Sequence, residues 1–260
     1  MWNLLSPWLA PLPALLGLAL LGWATATARR NVGLVDILWS LFFLVAAGWH
    51  FASLEAPTVR AWTALGVALA WGLRLSGHLA LRNWNAPEDR RYVAIRERNA
   101  PGFVFKSLYL VFGFQALLAL LLSLPLAAAI RSTDPVLGPA GIAGAALVVA
   151  GLLYEAVADA QLAAFRRDPS NRRAVMDRGL WAHTRHPNYF GEAVVAWGFY
   201  LLAVDAGAAW TLFAPIGMTV LLMRYTGVGL LEQDIGTRRP GYAEYIARTN
   251  AFFPGPRRAG

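Results

Sequence analysis

Residues 107–130 read SLYLVFGFQALLALLLSLPLAAAI, a run with no charged side chain and a single amide, Gln115. A helix crosses the hydrocarbon core of a bilayer with about 20 apolar residues, because only intrachain hydrogen bonds satisfy its backbone there. The run is therefore read as a membrane span, and the chain as an all-α polytopic membrane protein. Working outward, comparable runs occupy 8–28, 34–53, 61–82, 137–164, 188–204 and 208–230, which makes seven expected spans. The first lacks a basic segment ahead of it, since Arg29 and Arg30 follow it, so it reads as a retained span and not a signal peptide. No internal repeat or low-complexity tract divides the 260 residues, which read as one membrane-embedded domain.

Composition agrees. Hydrophobic residues make up 57% of the chain and charged residues 15%, against roughly 25% charged in a soluble domain. The chain has no cysteine, which excludes disulfides, zinc–thiolate sites, iron–sulfur clusters and a cysteine nucleophile. The net charge is +8, but the basic residues lie in short segments between apolar runs, so nucleic acid is not an expected partner.

Those basic residues alternate from loop to loop. Arg29 and Arg30 lie after the first span, and Arg82, Arg90, Arg91, Arg96, Arg98 and Lys106 after the third. Arg166, Arg167, Arg172, Arg173, Arg178 and Arg185 follow the fifth, and Arg224, Arg238, Arg239, Arg248, Arg257 and Arg258 belong to the C-terminal end. The intervening loops hold only Arg60 and Arg131. Basic loops stay on the cytoplasmic side. The expected topology is N-terminus outside and C-terminus cytoplasmic, in a multi-pass protein of the inner membrane if the cell is bacterial. Chemistry is expected at the inner face, because segments 83–106, 165–187 and 231–260 carry most of the polar residues and the outer loops are short.

Polar residues inside spans are costly and mark sites or partner pairs. Trp71, Arg74, His78 and Arg82 recur at helical spacing, as do Glu155, Asp159, Leu162 and Arg166. Asp36 with Trp39, and Asn188 with Glu192, open the second and sixth spans one turn apart. Two readings stand side by side: Arg74 pairs with Glu155 or Asp159 and holds helices together, or the stripes line a shared polar cavity open to the cytoplasm. His50 has no polar neighbour at helical spacing and reads as an interfacial residue.

The inner segments NWNAPEDRRY (83–92), DPSNRR (168–173) and GLWAHTRHPNYFGE (179–192) mix Arg, His, Asn and Tyr. Arginine gives bidentate contacts to phosphate, and aromatic rings stack on a base, so the set suits a nucleotide-bearing cofactor. An anionic-lipid surface is the competing reading. No Rossmann glycine pattern, P-loop, H-E-x-x-H or G-x-S-x-G occurs. With four histidines, and Arg185 between His183 and His186, no metal centre is expected.

GLWAHTRHPNYFGE, together with RPGYAEYIARTNAFFP from Arg239 to Pro254 and EDRRY from Glu88 to Tyr92, resembles the steroid 5-alpha-reductase family in its bacterial branch. The likeness is strong over 155–254, thinner over 70–92 and weak over the first two spans. It implies seven membrane helices, NADPH as cofactor in a cavity open to the cytoplasm, and reduction of the carbon–carbon double bond of an enone such as a 3-oxo-Δ4-steroid. It implies cofactor contacts from Asp159, Arg166, Arg173, His186, Asn188, Tyr189 and Glu192, joined by Arg82, Tyr92, Arg239, Tyr242, Tyr245 and Arg248. The expected partners are a steroid or isoprenoid enone and membrane lipid. The R-H-P-x-Y element is shared with membrane methyltransferases that use S-adenosylmethionine, which is the alternative reading; a non-enzymatic lipid-binding bundle is a second. The family's Gln-Glu pair, thought to hold the substrate carbonyl, is missing from the second span. In its place Asp36, kept protonated by burial, is the expected donor, with His78 competing for the role and Trp39, Trp71 and Arg74 lining the substrate slot. Pairing of Asp36 with Arg74 or Arg82 is the structural alternative.

Overall fold

The computed structural model describes residues 7–225 and 241–258, all as helices and connecting loops. Five helices are long and apolar enough to cross a membrane: Pro7–Ala28, Val32–Ala52, Val59–Asn83, Phe103–Leu122 and Pro139–Arg167. They correspond to the first five expected spans. The sixth forms a helix, Pro187–Asp205, whose first turns carry Asn188, Tyr189 and Glu192, and these lower its hydropathy below that of the other five. Of the seventh, Ala209–Arg224 is a shorter apolar helix, and 226–230 lie outside the described residues.

We label the helices α1 (Leu12–Ala28), α2 (Val35–Ala52), α3 (Val59–Asn83), α4 (Arg90–Arg98), α5 (Phe103–Ser107), α6 (Phe114–Leu122), α7 (Leu124–Arg131), α8 (Pro139–Arg167), α9 (Pro187–Asp205), α10 (Phe213–Val220) and α11 (Tyr242–Arg248). The run that reads in sequence as one unbroken helix is broken twice. A π-helical turn, Leu108–Gly113, joins α5 to α6. The helix then stops at Ser123, because Pro125 has no N–H to continue the ladder and sits instead in the first turn of α7.

The chain divides into two compact units, one of Met1–Ala145 with Phe199–Ala214, the other of Ala146–Gly198 with Pro215–Gly260. In the first unit α2 and α3 pack closely because small residues face each other. A Cβ added at Gly72 would stand 2.8 Å from the Leu44 side chain. Two buried hydroxyls bridge the helices, Ser40 Oγ donating to the Gly72 carbonyl at 2.8 Å and Ser76 Oγ to the Ile37 carbonyl at 3.0 Å. In lipid such packing and interhelical hydrogen bonds replace the hydrophobic effect as the source of cohesion.

Arg60, expected only as an outer-loop charge, is a buried tie, 1% exposed. Its Nε and Nη2 donate to Asp205 Oδ2 at 3.1 and 3.0 Å, Nη1 to Ser132 Oγ at 2.6 Å, and Nη2 to the Val136 carbonyl. A buried guanidinium is tolerated only when its fork is filled in this way. His50 is likewise buried, its ring 6.5 Å from that of Trp8.

In the second unit α8 and α9 meet backbone to backbone. A Cβ at Gly191 would lie 2.8 Å from the Glu155 amide nitrogen and from the Gly151 carbonyl, and one at Gly151 would lie 2.7 Å from the Gly191 carbonyl. Neither obstacle is a flexible side chain, so the crossing requires glycine on both helices. Phe165, Met176 and Trp181 form a small core under the loop that follows α8.

Candidate functional site

Polar side chains collect in each unit. In the first, the EDRRY element folds as the cap and first turn of α4 and docks it on the start of α2. Asp89 caps the helix, accepting from the Arg91 amide at 2.9 Å. Glu88 accepts from the Val32 amide at 2.7 Å and from Arg96 at 2.8 Å. Arg91 reaches Asp36 Oδ2 at 2.9 Å, and the Tyr92 hydroxyl donates to Asp36 Oδ1 at 2.5 Å. The Gln115 amide donates to the same hydroxyl at 3.3 Å.

Electrostatics follow from this arrangement. Burial, and then the Asp36 carboxylate, push the Tyr92 phenol well above its usual range. Burial alone would raise Asp89, but the hydrogen bond and charge of Arg91 outweigh it and hold the carboxyl below its usual range.

The expectation for Asp36 is therefore corrected. Both its oxygens are engaged as acceptors within the protein, and its cationic partner is Arg91, not Arg74 or Arg82. The Tyr92 hydroxyl likewise donates to Asp36. Trp39 and Trp71 pack edge-on against the two sides of Phe43, with centroids 5.4 and 5.5 Å away, and Trp71 also packs against Phe199 at 5.7 Å. Trp71 is 1% exposed, and its indole Nε1 has no hydrogen-bond partner among the described residues. Arg74 and His78 are half-buried, whereas Arg82 is exposed.

In the second unit the loop 179–186 and the first turns of α9 bring together most of the expected cofactor residues. Asn188 Nδ2 donates to Asp159 Oδ1 at 3.3 Å. The His186 and Tyr189 rings stack 5.7 Å apart at an interplanar angle of 7°. Glu155, Asp159, His186 and Glu192 are all buried. Arg166 and Arg173 are exposed on the segment leaving α8.

Two of the tail residues, Tyr245 and Arg248, have partners within the protein. The Tyr245 hydroxyl donates to the Trp181 carbonyl at 2.5 Å, and its ring lies against Tyr242 at 5.6 Å. Burial, then Tyr242, raise its phenol above the usual range. Arg248 pairs with Glu244 at 3.1 Å. Arg239 lies outside the described residues.

Sequence reasoning missed several members. Arg185 is buried, donating to the Thr249 and Ile246 carbonyls at 2.6 and 3.3 Å and so closing the end of α11. Thr184 Oγ1 donates to the Phe252 carbonyl at 2.8 Å. Gln115 was hidden by the hydropathy of its run, although its being the one amide there was a usable signal.

A model of a family described as "Protein of unknown function (DUF1295)" matches residues 22–249, most of the chain. No curated protein and no solved structure matches.

Proposed function

The chain belongs to the DUF1295 family, and we propose that it is an NADPH-dependent membrane oxidoreductase of the 3-oxo-5α-steroid 4-dehydrogenase type, saturating the carbon–carbon double bond of an enone. The observation that most supports this is the cluster of Asp159, Asn188 and Glu192 beside the stacked His186–Tyr189 pair. An amide and a buried carboxylate one turn apart suit the acceptor and donor groups of a nicotinamide carboxamide. The exposed Arg166 and Arg173, one segment away, suit phosphates. The donor set thus fits a dinucleotide, and these seven residues are the ones we assign to hold it. The topology that goes with this reading is seven spans with the C-terminus and cofactor face cytoplasmic, supported by the alternation of basic loops.

Bound NADPH supplies the hydride, which goes to the β-carbon of the enone while the α-carbon takes a proton. The protein must hold the carbonyl oxygen as charge develops on it. A buried N–H or O–H donor aimed at that oxygen in a dry site contributes roughly 3 kcal/mol.

The test is NADPH oxidation by the purified protein with Δ4-3-ketosteroids, sterol intermediates and simple enones. Substrate-dependent oxidation is expected, with a raised KM for NADPH in Asn188→Ala. Absence of oxidation with every enone overturns the reading.

One observation favours a second reading. The buried carboxylates Glu155, Asp159 and Glu192 also suit a sulfonium cation, as in the methyltransferases that share R-H-P-x-Y. Protection against heat by S-adenosylmethionine but not by NADPH selects it.

A further inference from the structure

In the first unit the turn after α1 and the loop after α3 are fastened together at Trp84. The Arg29 guanidinium lies 4.5 Å over the Trp84 ring and donates through Nη2 to the Trp84 carbonyl at 2.9 Å and to Asn85 Oδ1 at 3.2 Å. Asn31 ties the same turn to the Ala86 carbonyl at 3.1 Å. Around this tie Arg29, Arg30, Arg82 and Arg90 are exposed, and none of them has a carboxylate partner among the described residues. Arg91 and Arg96, by contrast, are paired with Asp36 and Glu88. Arg30 is held at a left-handed φ of 53°, and Arg90 opens α4, where the helix dipole adds to its positive charge.

Large apolar side chains are exposed in the same segments: Trp84 is 46% exposed, Leu81 92% and Phe105 73%, and the Trp23 indole donates to the Val104 carbonyl beside Phe105. Four exposed arginines that form no salt bridge among the described residues, Arg82 sharing only the field of Asp89, together with exposed aromatic and aliphatic groups, match a ligand that is anionic at one end and hydrocarbon at the other.

We propose that this rim, built on Arg29–Trp84 with Arg30, Arg82 and Arg90, binds the headgroup phosphate of an anionic phospholipid. Charge complementarity names the occupant, because a zwitterionic headgroup would leave the four positive charges largely uncompensated. The proposal does not depend on the reductase reading, and it assigns Arg82 to lipid instead of to cofactor.

The test uses the full chain in neutral detergent, supplied with phosphatidylglycerol or with phosphatidylcholine. Phosphatidylglycerol raises Tm by roughly 5 °C more than phosphatidylcholine does. The triple variant Arg30→Gln, Arg82→Gln, Arg90→Gln, which keeps the Arg29 tie, loses at least half of that difference. Native mass spectrometry counts retained phosphatidylglycerol and reads the site even if the variant is less stable; fewer retained lipids are expected. A variant that keeps the full Tm difference, or equal retention, overturns the proposal. So does an equal rise with inorganic phosphate or NADPH that the variant loses, since the site would then belong to a soluble phosphate ligand.

Discussion

The two segments that carry the recognisable motifs are fastened by different means. In the first unit, charged side chains hold α4 to α2: Asp36 with Arg91, Glu88 with Arg96, and Tyr92 with Asp36. In the second, side chains hold backbone: Arg185, Thr184, Tyr245 and Trp181 all donate to carbonyls, of Thr249, Phe252, Trp181 and Ala158 in turn. Carboxylates titrate and are screened by salt, whereas peptide carbonyls do neither. Acid and salt should therefore act more on the first fastening than on the second.

The largest effect should come from the carbonyl clasp. Arg185→Ala leaves the Thr249 and Ile246 carbonyls at the end of α11 without their donor and is expected to destabilise the tail by about 3 kcal/mol. Hydrogen exchange over 241–258 should accelerate while that over 90–98 stays unchanged. Arg185→Lys should not restore protection, because one ammonium does not reproduce the two-carbonyl fork. Slow exchange in the tail of Arg185→Ala would mean that the remaining contacts suffice.

Breaking the ion pair should cost less. Asp36→Asn is expected to weaken the docking of α4 by about 2 kcal/mol, and Tyr92→Phe by about 1 kcal/mol. In a double-mutant cycle the two should couple, since both act on one carboxylate. Additive losses would show that Tyr92 and Arg91 hold α4 independently.

Acid should separate the fastenings with the smallest effect. The Asp89 carboxyl is held below its usual range by Arg91. Its contribution is present above the unfolded carboxylate pKa of about 4 and lost as pH falls through the folded value. Exchange over 90–98 should rise below about pH 4, and that over 241–258, whose ion pairs are the more exposed Arg257–Asp177 and Arg248–Glu244, should rise less. At the alkaline end both should loosen. Tyr92 and Tyr245 are raised phenols, so their contributions are complete below the unfolded pKa of about 10 and are lost above it.

Much of the fold was legible in the sequence. Five apolar runs became helices of spanning length because length and hydropathy are local properties that a bilayer reads directly. Asp159, His186, Asn188, Tyr189 and Glu192 gather in the second unit because the stretch 186–192 is short and continues straight into α9. What was not legible depended on partners distant in sequence. Nothing local in Arg60 distinguishes a topological marker from a buried tie to Asp205, 145 positions away. Tyr245, read as a cofactor residue, is fixed by a carbonyl 64 positions earlier.

Sequence by itself therefore determined a helical membrane chain and the segments that carry its polar residues, whereas the close approach of α8 and α9 at Gly151 and Gly191 was decided by the tertiary structure. The run 107–130 shows the limit. Its hydropathy specified a membrane helix, but the π-helical turn and the break at Ser123 come from backbone hydrogen bonding, which an apolar count does not register. Tertiary structure alone decided which polar groups are already engaged. It gave Asp36 to Arg91 and Tyr92, and it left the Trp71 indole N–H buried with no acceptor among the described residues, because hydrogen-bond satisfaction belongs to neighbours in space and not to neighbours in sequence.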